Sequence, residues 1–101
     1  MNQVFKALSD PTRRRVLELL RERPMNAGEL AAPFPVSKAT MSAHFAILRE
    51  ADLVASEKIG REIVYRLKLS VLEEAILSLA QAFGVSTEAP APLKTEKGLP
   101  R

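Results

Sequence analysis

Residues 26–51 read NAGELAAPFPVSKATMSAHFAILREA and hold two short helical stretches on either side of a break. Asn26 and Glu29 have the spacing of a capping box at the start of the first stretch. In the break, the two prolines of residues 33–36 cannot continue a helix, because each lacks a backbone N–H and restricts the residue before it. Ser37 is the expected N-cap of the second stretch. Helix, break and helix at this spacing predict a helix-turn-helix.

The helix that begins at Ser37 has two unlike faces. Met41, Phe45 and Leu48 fall at i, i+4 and i+7, which is the spacing of a buried stripe. The residues roughly 100–200° around the helix from Met41 are all small: Ala39, Ser42, Ala43 and Ala46. A face of small side chains with one hydroxyl can approach the edges of DNA bases closely, and it also fits a plain solvated surface.

Two helices are predicted before this unit. Residues 2–8 have the apolar spacing of a short amphipathic helix. Asp10 followed by Pro11 marks a new helix, since Asp is a good N-cap and Pro at the first position lacks only an N–H that would be unpaired. The three arginines at positions 13–15 are predicted to lie on a solvated face of that second helix.

After the helix-turn-helix the hydrophobic period changes from helical to alternating. Residues 53–59 and 62–67 are short runs with β-branched or aromatic residues, and Gly60 and Arg61 between them are a turn signal. This pattern predicts a β-hairpin. Lys58 and Arg61 place two positive charges at its tip. The tip is either a wing that contacts DNA or an ordinary turn that these charges keep soluble.

A last helix is predicted from a capping box at Ser70 and Glu73 to about Phe83, with Gly84 at its end. It is apolar on more than one side. Because a small monomer rarely leaves such a surface in water, a contact between subunits is predicted. From Ser86 onward the chain is rich in proline and charged residues, which is typical of a disordered tail.

The order of these elements predicts a mainly α protein with a small β-hairpin, a winged helix-turn-helix of order α-α-α-α-β-β-α that is dimeric. Residues 1–85 form the folded domain in this prediction, and residues 86–101 form the tail. The chain of 101 residues has room for one domain. No apolar run reaches the roughly 18 residues of a membrane span, so we expect no membrane insertion and a cytoplasmic location.

The composition excludes several functional classes. The chain has no cysteine and one histidine, which excludes thiolate metal sites and a multi-histidine cage within one chain. We expect no catalytic residues, no metal site and no cofactor, since no glycine-rich loop cradles phosphate and the histidine has no obvious carboxylate partner on its own helix. Residues 1–70 carry twelve Lys and Arg against eight Asp and Glu, which suits a polyanion such as double-stranded DNA.

Several separated stretches resemble the ArsR-type repressors. They are VFKALSDPTRR at residues 4–14, SKATMSAHF at 37–45, IL at 47–48 and ADLV at 51–54. The resemblance covers roughly residues 2–83 and is strongest to the SdpR-type autorepressors, which share the opening. It implies a dimer that represses its own operon and binds a pseudo-palindromic operator.

The candidate site residues follow from the helix faces and the resemblance together. The predicted DNA-binding residues are Ser37, Lys38, Ala39, Thr40, Ser42, Ala43, His44, Lys58 and Arg61. The predicted dimer contacts are Val4, Phe5, Leu8, Leu72, Ile76, Leu79 and Phe83. The recognition helix of the family often has a histidine where this chain has Ala43. His44 lies beside the buried stripe, which favours anchoring the helix or touching phosphate over reading a base.

The resemblance also bears on regulation. Metal sensing in the family uses cysteines, or histidine and carboxylate pairs on the last helix, and residues 70–83 contain neither histidine nor cysteine. A repressor without a metal sensor is therefore predicted. Two alternatives stay open. One is a repressor that responds to a small molecule bound between the first and last helices, and the other is a winged-helix module that binds proteins.

Overall fold

The computed structural model describes residues 2–86, and the predicted tail beyond Ser86 lies outside them. In chain order the elements are α1 (Asn2–Leu8), α2 (Pro11–Glu22), β1 (Met25–Asn26), α3 (Ala27–Ala31), α4 (Lys38–Glu50), β2 (Val54–Ile59), β3 (Glu62–Leu67) and α5 (Leu69–Ala82). The predicted mainly α fold with a small hairpin is confirmed, with one strand more than expected.

Three of the predicted helix starts have the expected side-chain caps, and Asp10 at the start of α2 is one of them. The Ser37 Oγ accepts a hydrogen bond from the Thr40 backbone N–H at 3.1 Å, so α4 begins where its sequence predicts. At the start of α3, the Glu29 N–H donates to the Asn26 side chain at 2.8 Å. The Asn26 N–H donates in return to the Glu29 carboxylate at 3.0 Å, which completes the capping box. These caps fix the first turn of α3 and the first turn of α4.

The predicted capping box at the start of the last helix is wrong. α5 begins at Leu69, one residue before Ser70, and Lys68 is its N-cap without a side-chain hydrogen bond. The Lys68 carbonyl accepts from the Val71 N–H at 3.1 Å, while the Lys68 N–H donates to the Leu53 carbonyl at 2.9 Å. The helix therefore starts from a residue that the segment between α4 and β2 already holds in place, and Ser70 lies inside the helix.

A three-stranded antiparallel sheet replaces the predicted two-stranded hairpin. The strand order is β1-β3-β2, and β1 pairs with β3 through Met25 opposite Tyr65 and Asn26 opposite Val64. At the other end of β3, the hairpin turns at Gly60, whose φ of 63° lies in the left-handed region that glycine adopts without strain. The added strand ties the start of α3 to the hairpin.

The hydrophobic core lies between the helices and the base of this sheet. Met41, Phe45 and Leu48 of α4 are at most 4% exposed, which confirms the predicted buried stripe. The Phe45 ring packs on the Tyr65 ring with 4.9 Å between centroids. The remaining members of the core come from every other helix and from the segment after α4: Val4, Ala7, Val16, Leu17, Leu20, Leu30, Ala51, Leu53, Val54 and Ala75. The helix-turn-helix of α3 and α4 and the hairpin thus share one core.

The N-cap of α2 gives a prediction for the pH dependence of stability. The Asp10 Oδ2 accepts from the Arg13 N–H at 3.0 Å. This bond, helped by the nearby charge of Arg13 and opposed by desolvation, holds the pKa of Asp10 below its ordinary 3.8. A carboxyl with a depressed folded pKa stabilises the fold above its unfolded pKa, and that contribution is lost as the pH falls through the folded value.

We therefore expect Asp10→Asn to unfold at a lower urea concentration than the wild type at pH 7. Asn is itself a good N-cap, so the variant removes mainly the charge. The difference should begin to narrow as the pH falls below about 4, where the unfolded chain takes up the proton, and it should vanish only below the lower folded pKa. Urea unfolding of both proteins between pH 3 and pH 7 measures it. A difference that stays constant over this range would contradict a role for the ionised carboxyl.

Candidate nucleic-acid interface

The outward face of α4, which we define as Ala39, Ser42 and Ala43, is exposed on the side away from the core. Ala46, which the sequence also placed there, is half-buried. Ser42 is the polar side chain of this face. The face therefore offers close approach of the helix backbone and one hydroxyl that can donate or accept a hydrogen bond at a base edge.

The N-terminal end of α4 carries groups suited to phosphate. Ser37 Oγ donates to Thr40 Oγ1 at 3.0 Å, so the proton of the Thr40 hydroxyl points elsewhere. Lys38 is exposed, and no ion pair among residues 2–86 involves it. A helix N-terminus also presents backbone N–H groups and a partial positive charge. This end can bind a phosphate group, because the Thr40 hydroxyl, the Lys38 ammonium and the backbone N–H groups can all donate hydrogen bonds to its oxygens.

A groove of about 220 Å³ runs between α3 and α4 beside the outward face. Lys38 and Ser42 lie at its wall, and Gly28 and Met41 line it. The structure thus brings a cation and the hydroxyl of the outward face to one edge of the helix-turn-helix.

The hairpin β2–β3 projects from the body of the protein. Its base is buried at Val54, whereas its tip is exposed at Lys58 and Arg61. Within residues 2–86 neither of these two cations forms an ion pair, while Arg66 and Glu57 on the same hairpin pair at 3.1 Å. Cations without partners can take phosphate oxygens without first breaking a salt bridge, and arginine is also attracted by a narrow minor groove.

His44 does not join the outward face. Its side chain is 15% exposed, and its Nδ1 lies 3.1 Å from Nη1 of Arg13. Its Nε2 lies 3.9 Å from Oδ2 of Asp10, the N-cap of α2. The sequence of α4 alone does not predict this carboxylate neighbour, because it comes from a distant part of the chain. This position fits the anchoring role that the helix geometry favours.

Arg13 is buried, contrary to the prediction of a solvated face for residues 13–15. It is 8% exposed. The signal was present in the spacing, because Arg13 continues the buried stripe of Val16, Leu17 and Leu20 at i, i+3, i+4 and i+7. A charged residue at an apolar position of a helix is a candidate for internal hydrogen bonding rather than for the surface.

The predicted dimer contacts divide into two groups. The predicted role of Val4 as a dimer contact is corrected, because Val4 is 7% exposed and already buried in the core of the monomer. Phe5, Leu8 and Leu72 are half-buried. The exposed group is on α5, where Ile76 is 51%, Leu79 44% and Phe83 76% exposed.

The exposed group lines a groove of about 340 Å³ together with Ala80 and Val85, all of them apolar residues. Val85 is held there because its N–H donates to the Ala80 carbonyl at 2.8 Å after Gly84, whose φ is 69°. We call this surface the α5 groove. It gives the protein a continuous apolar surface that is in contact with water.

Residues 2–86 show neither a metal centre nor a membrane-spanning helix. No group of three or more His, Cys, Asp or Glu side chains is arranged to hold a metal ion in this part of the chain. Among its helices, none combines the length and the hydropathy needed to cross a membrane.

Comparisons with known proteins agree with this geometry. Residues 8–57 match the model of a helix-turn-helix domain. The chain is 45% identical over 76 residues to the transcriptional repressor SdpR of Bacillus subtilis, an alignment that covers 75% of this chain and 84% of the relative.

Solved structures give the same result for the fold. The crystal structure of an ArsR family transcriptional regulator superposes with a TM-score of 0.76 at 30% identity, covering 82% of this chain and 91% of the other. An ArsR-like transcriptional regulator from Rhodococcus sp. RHA1 gives a TM-score of 0.73 at 36% identity, with 82% and 78% coverage. The chain therefore belongs to the ArsR family of winged helix-turn-helix, DNA-binding transcriptional regulators.

Proposed function

We propose that the protein is a homodimeric repressor in the cytoplasm that binds a pseudo-palindromic operator and represses its own operon without sensing a metal. The observation that carries the proposal is the outward face of α4. It combines small side chains and the Ser42 hydroxyl with an N-terminal end suited to phosphate. In a dimer, two such helices would enter successive major grooves about one helical turn apart.

Base reading is assigned to α4, and the hairpin adds affinity. Thr40 and Lys38 take phosphates beside the outward face, while Lys58 and Arg61 contact backbone or minor groove next to it. Phosphate contacts carry no sequence information themselves, so specificity rests on Ser42 and on the fit of the alanines to thymine methyl groups. Ala43 in place of a histidine makes this a face that reads by close approach.

The names of relatives support the regulatory role. SdpR is named a transcriptional repressor, and the proteins of the solved structures are named transcriptional regulators. These names support a role for this chain as a transcriptional repressor. The groove between α1 and α5, with Val4, Val71 and Ala75 at its walls, holds about 250 Å³. Small-molecule sites are typically about 300–1,000 Å³, so this groove gives the effector hypothesis little support.

The test uses a preferred duplex that the purified protein selects from a random pool. We expect Ser42→Ala to weaken binding to this duplex by about 1–3 kcal/mol and to change binding to random duplex much less. Arg61→Ala should weaken both duplexes evenly and lower the salt slope by about one unit per protomer. Titrations at two salt concentrations measure both effects.

Two variants control for the substitutions themselves. Ser70→Ala removes an exposed hydroxyl from α5, and Arg21→Ala removes an exposed cation from α2. Both should bind as the wild type does. If the pool yields no preferred duplex, the repressor proposal fails and the protein-binding alternative gains. If Arg61→Ala loses selectivity while Ser42→Ala weakens both duplexes evenly, the assignment of base reading to α4 is overturned.

A further inference from the structure

The Arg13 side chain closes the C-terminal end of α1. Its Nε donates to the Ala7 carbonyl at 2.8 Å, and its Nη2 donates to the Lys6 carbonyl at 3.0 Å. The last carbonyls of a helix lack donors within the helix, so a buried guanidinium is well suited to them. These two bonds fix the plane of the guanidinium relative to α1 and α2.

The third bond of the same group reaches α4. Nη1 of Arg13 lies 3.1 Å from Nδ1 of His44. Arginine can only donate, so Nδ1 is the acceptor and the neutral ring carries its proton on Nε2. One buried side chain therefore connects the end of α1, the start of α2 and the middle of α4.

We propose that Arg13 is a positioning residue for DNA reading, which acts through His44 to set the rotation of α4 about its axis. This proposal rests on the proposed function. His44 and Ser42 are two residues apart, so they project about 200° from each other around the helix. A bond that holds His44 on the inner side therefore determines where Ser42 points on the outer side.

The apolar contacts of α4 limit its rotation less narrowly than a hydrogen bond does. Met41, Phe45 and Leu48 bury the helix, but the hydrophobic effect has no direction and tolerates small rotations. A hydrogen bond from a fixed guanidinium requires a donor–acceptor distance near 3 Å and a narrow range of angles. The Arg13–His44 bond adds direction to a helix that the core holds by burial.

The variants change His44, because removing Arg13 would also leave the Lys6 and Ala7 carbonyls without this donor and could unfold the protein. His44→Leu keeps an apolar side chain of similar reach and removes the acceptor. His44→Asn provides an oxygen close to the place of Nδ1, so it can accept the bond from Arg13. The pair separates loss of the acceptor from loss of the imidazole ring.

The first measurement is binding to the selected duplex and to random duplex. His44→Leu should bind the selected duplex about tenfold more weakly, because base contacts fail when a side chain moves by more than about 0.5 Å. Its binding to random duplex should change less, since phosphate contacts tolerate such movement. His44→Asn should keep the selectivity of the wild type. Equal loss in both variants would show that the imidazole itself contacts DNA and would overturn the proposal.

The second measurement needs no DNA. Amide hydrogen exchange of the free proteins should be faster in α4 for His44→Leu than for His44→Asn or the wild type, since the helix has lost a fixed contact. Equal exchange in all three proteins, or wild-type selectivity in His44→Leu, would overturn the positioning role. If the wild type selects no duplex, the repressor proposal fails, and the exchange measurement still decides whether the bond holds α4.

Discussion

Replacing Leu79 by Glu is expected to convert the proposed dimer into a monomer and to abolish tight binding to the selected duplex. Leu79 lies in the α5 groove with Ile76 and Phe83, and it is 44% exposed in the monomer. In a two-fold dimer each surface residue occurs twice, so the substitution places two carboxylates in one apolar contact. An unpaired charge in such a place costs several kcal/mol.

The effect on DNA binding follows from the effect on the dimer. Two linked recognition helices bind DNA more tightly than one, because the second contact is intramolecular. The gain in affinity is on the order of 10²–10⁴-fold. A monomer loses that gain although its own recognition helix is unchanged. Sedimentation and duplex titration of the same preparation measure both effects.

Leu77 provides the matched control. It is also a leucine of α5 and also 44% exposed, but it lies about 200° around the helix from Leu79. Leu77→Glu should sediment and bind as the wild type does. A Leu79→Glu protein that remains a dimer would rule out the α5 groove as the contact. Dissociation of both variants would indicate a wider interface than the one proposed.

Phe45→Ala is expected to lower the free energy of unfolding by about 3–5 kcal/mol, the usual cost of removing a buried aromatic ring. Phe45 is 4% exposed and packs on Tyr65, so its ring joins α4 to the hairpin. The total free energy of unfolding of a domain of this size is about 4–13 kcal/mol, so the variant should be close to unfolding at 37 °C. Urea unfolding at a fixed protein concentration measures the change.

Tyr65→Phe is the control on the other side of this contact. It keeps the ring and removes the hydroxyl, so we expect a change of less than about 1.5 kcal/mol. Removal of a buried ring usually lowers the free energy of unfolding by about 3–5 kcal/mol. A decrease of less than about 1 kcal/mol for Phe45→Ala would therefore contradict the burial of this ring between α4 and the hairpin.

The parts of the fold that the sequence predicts are those fixed by local chemistry. Asp10, Asn26 and Ser37 each cap a helix with a side chain close to its own backbone, and such short-range bonds can be read from spacing. The buried stripe of α4 was also visible, because 3.6-residue periodicity places Met41 and Phe45 on one side. For the candidate site, the exposure of Ser42 and Ala43 followed from the same periodicity.

The parts that the sequence did not predict depend on distant residues. β1 is two residues long and exists because Tyr65 and Val64 of β3 pair with it. Ser70 and Glu73 have capping spacing, but the Leu53 carbonyl holds Lys68 and the helix starts earlier. Arg13 was assigned to the surface because it is charged, and its partners on α1 and α4 are set by tertiary packing.

The pairing of β1 with β3 also bears on how the protein folds. Met25 and Tyr65 are forty positions apart along the chain, whereas the β2–β3 hairpin closes over Gly60 between neighbouring residues. Closing the longer loop costs more chain entropy, so the hairpin and the helices can form before β1 joins them. We therefore expect α3, which follows β1 directly, to pack late against the hairpin. A newly made chain would complete its helix-turn-helix only after the hairpin has left the ribosome and β1 has paired with β3.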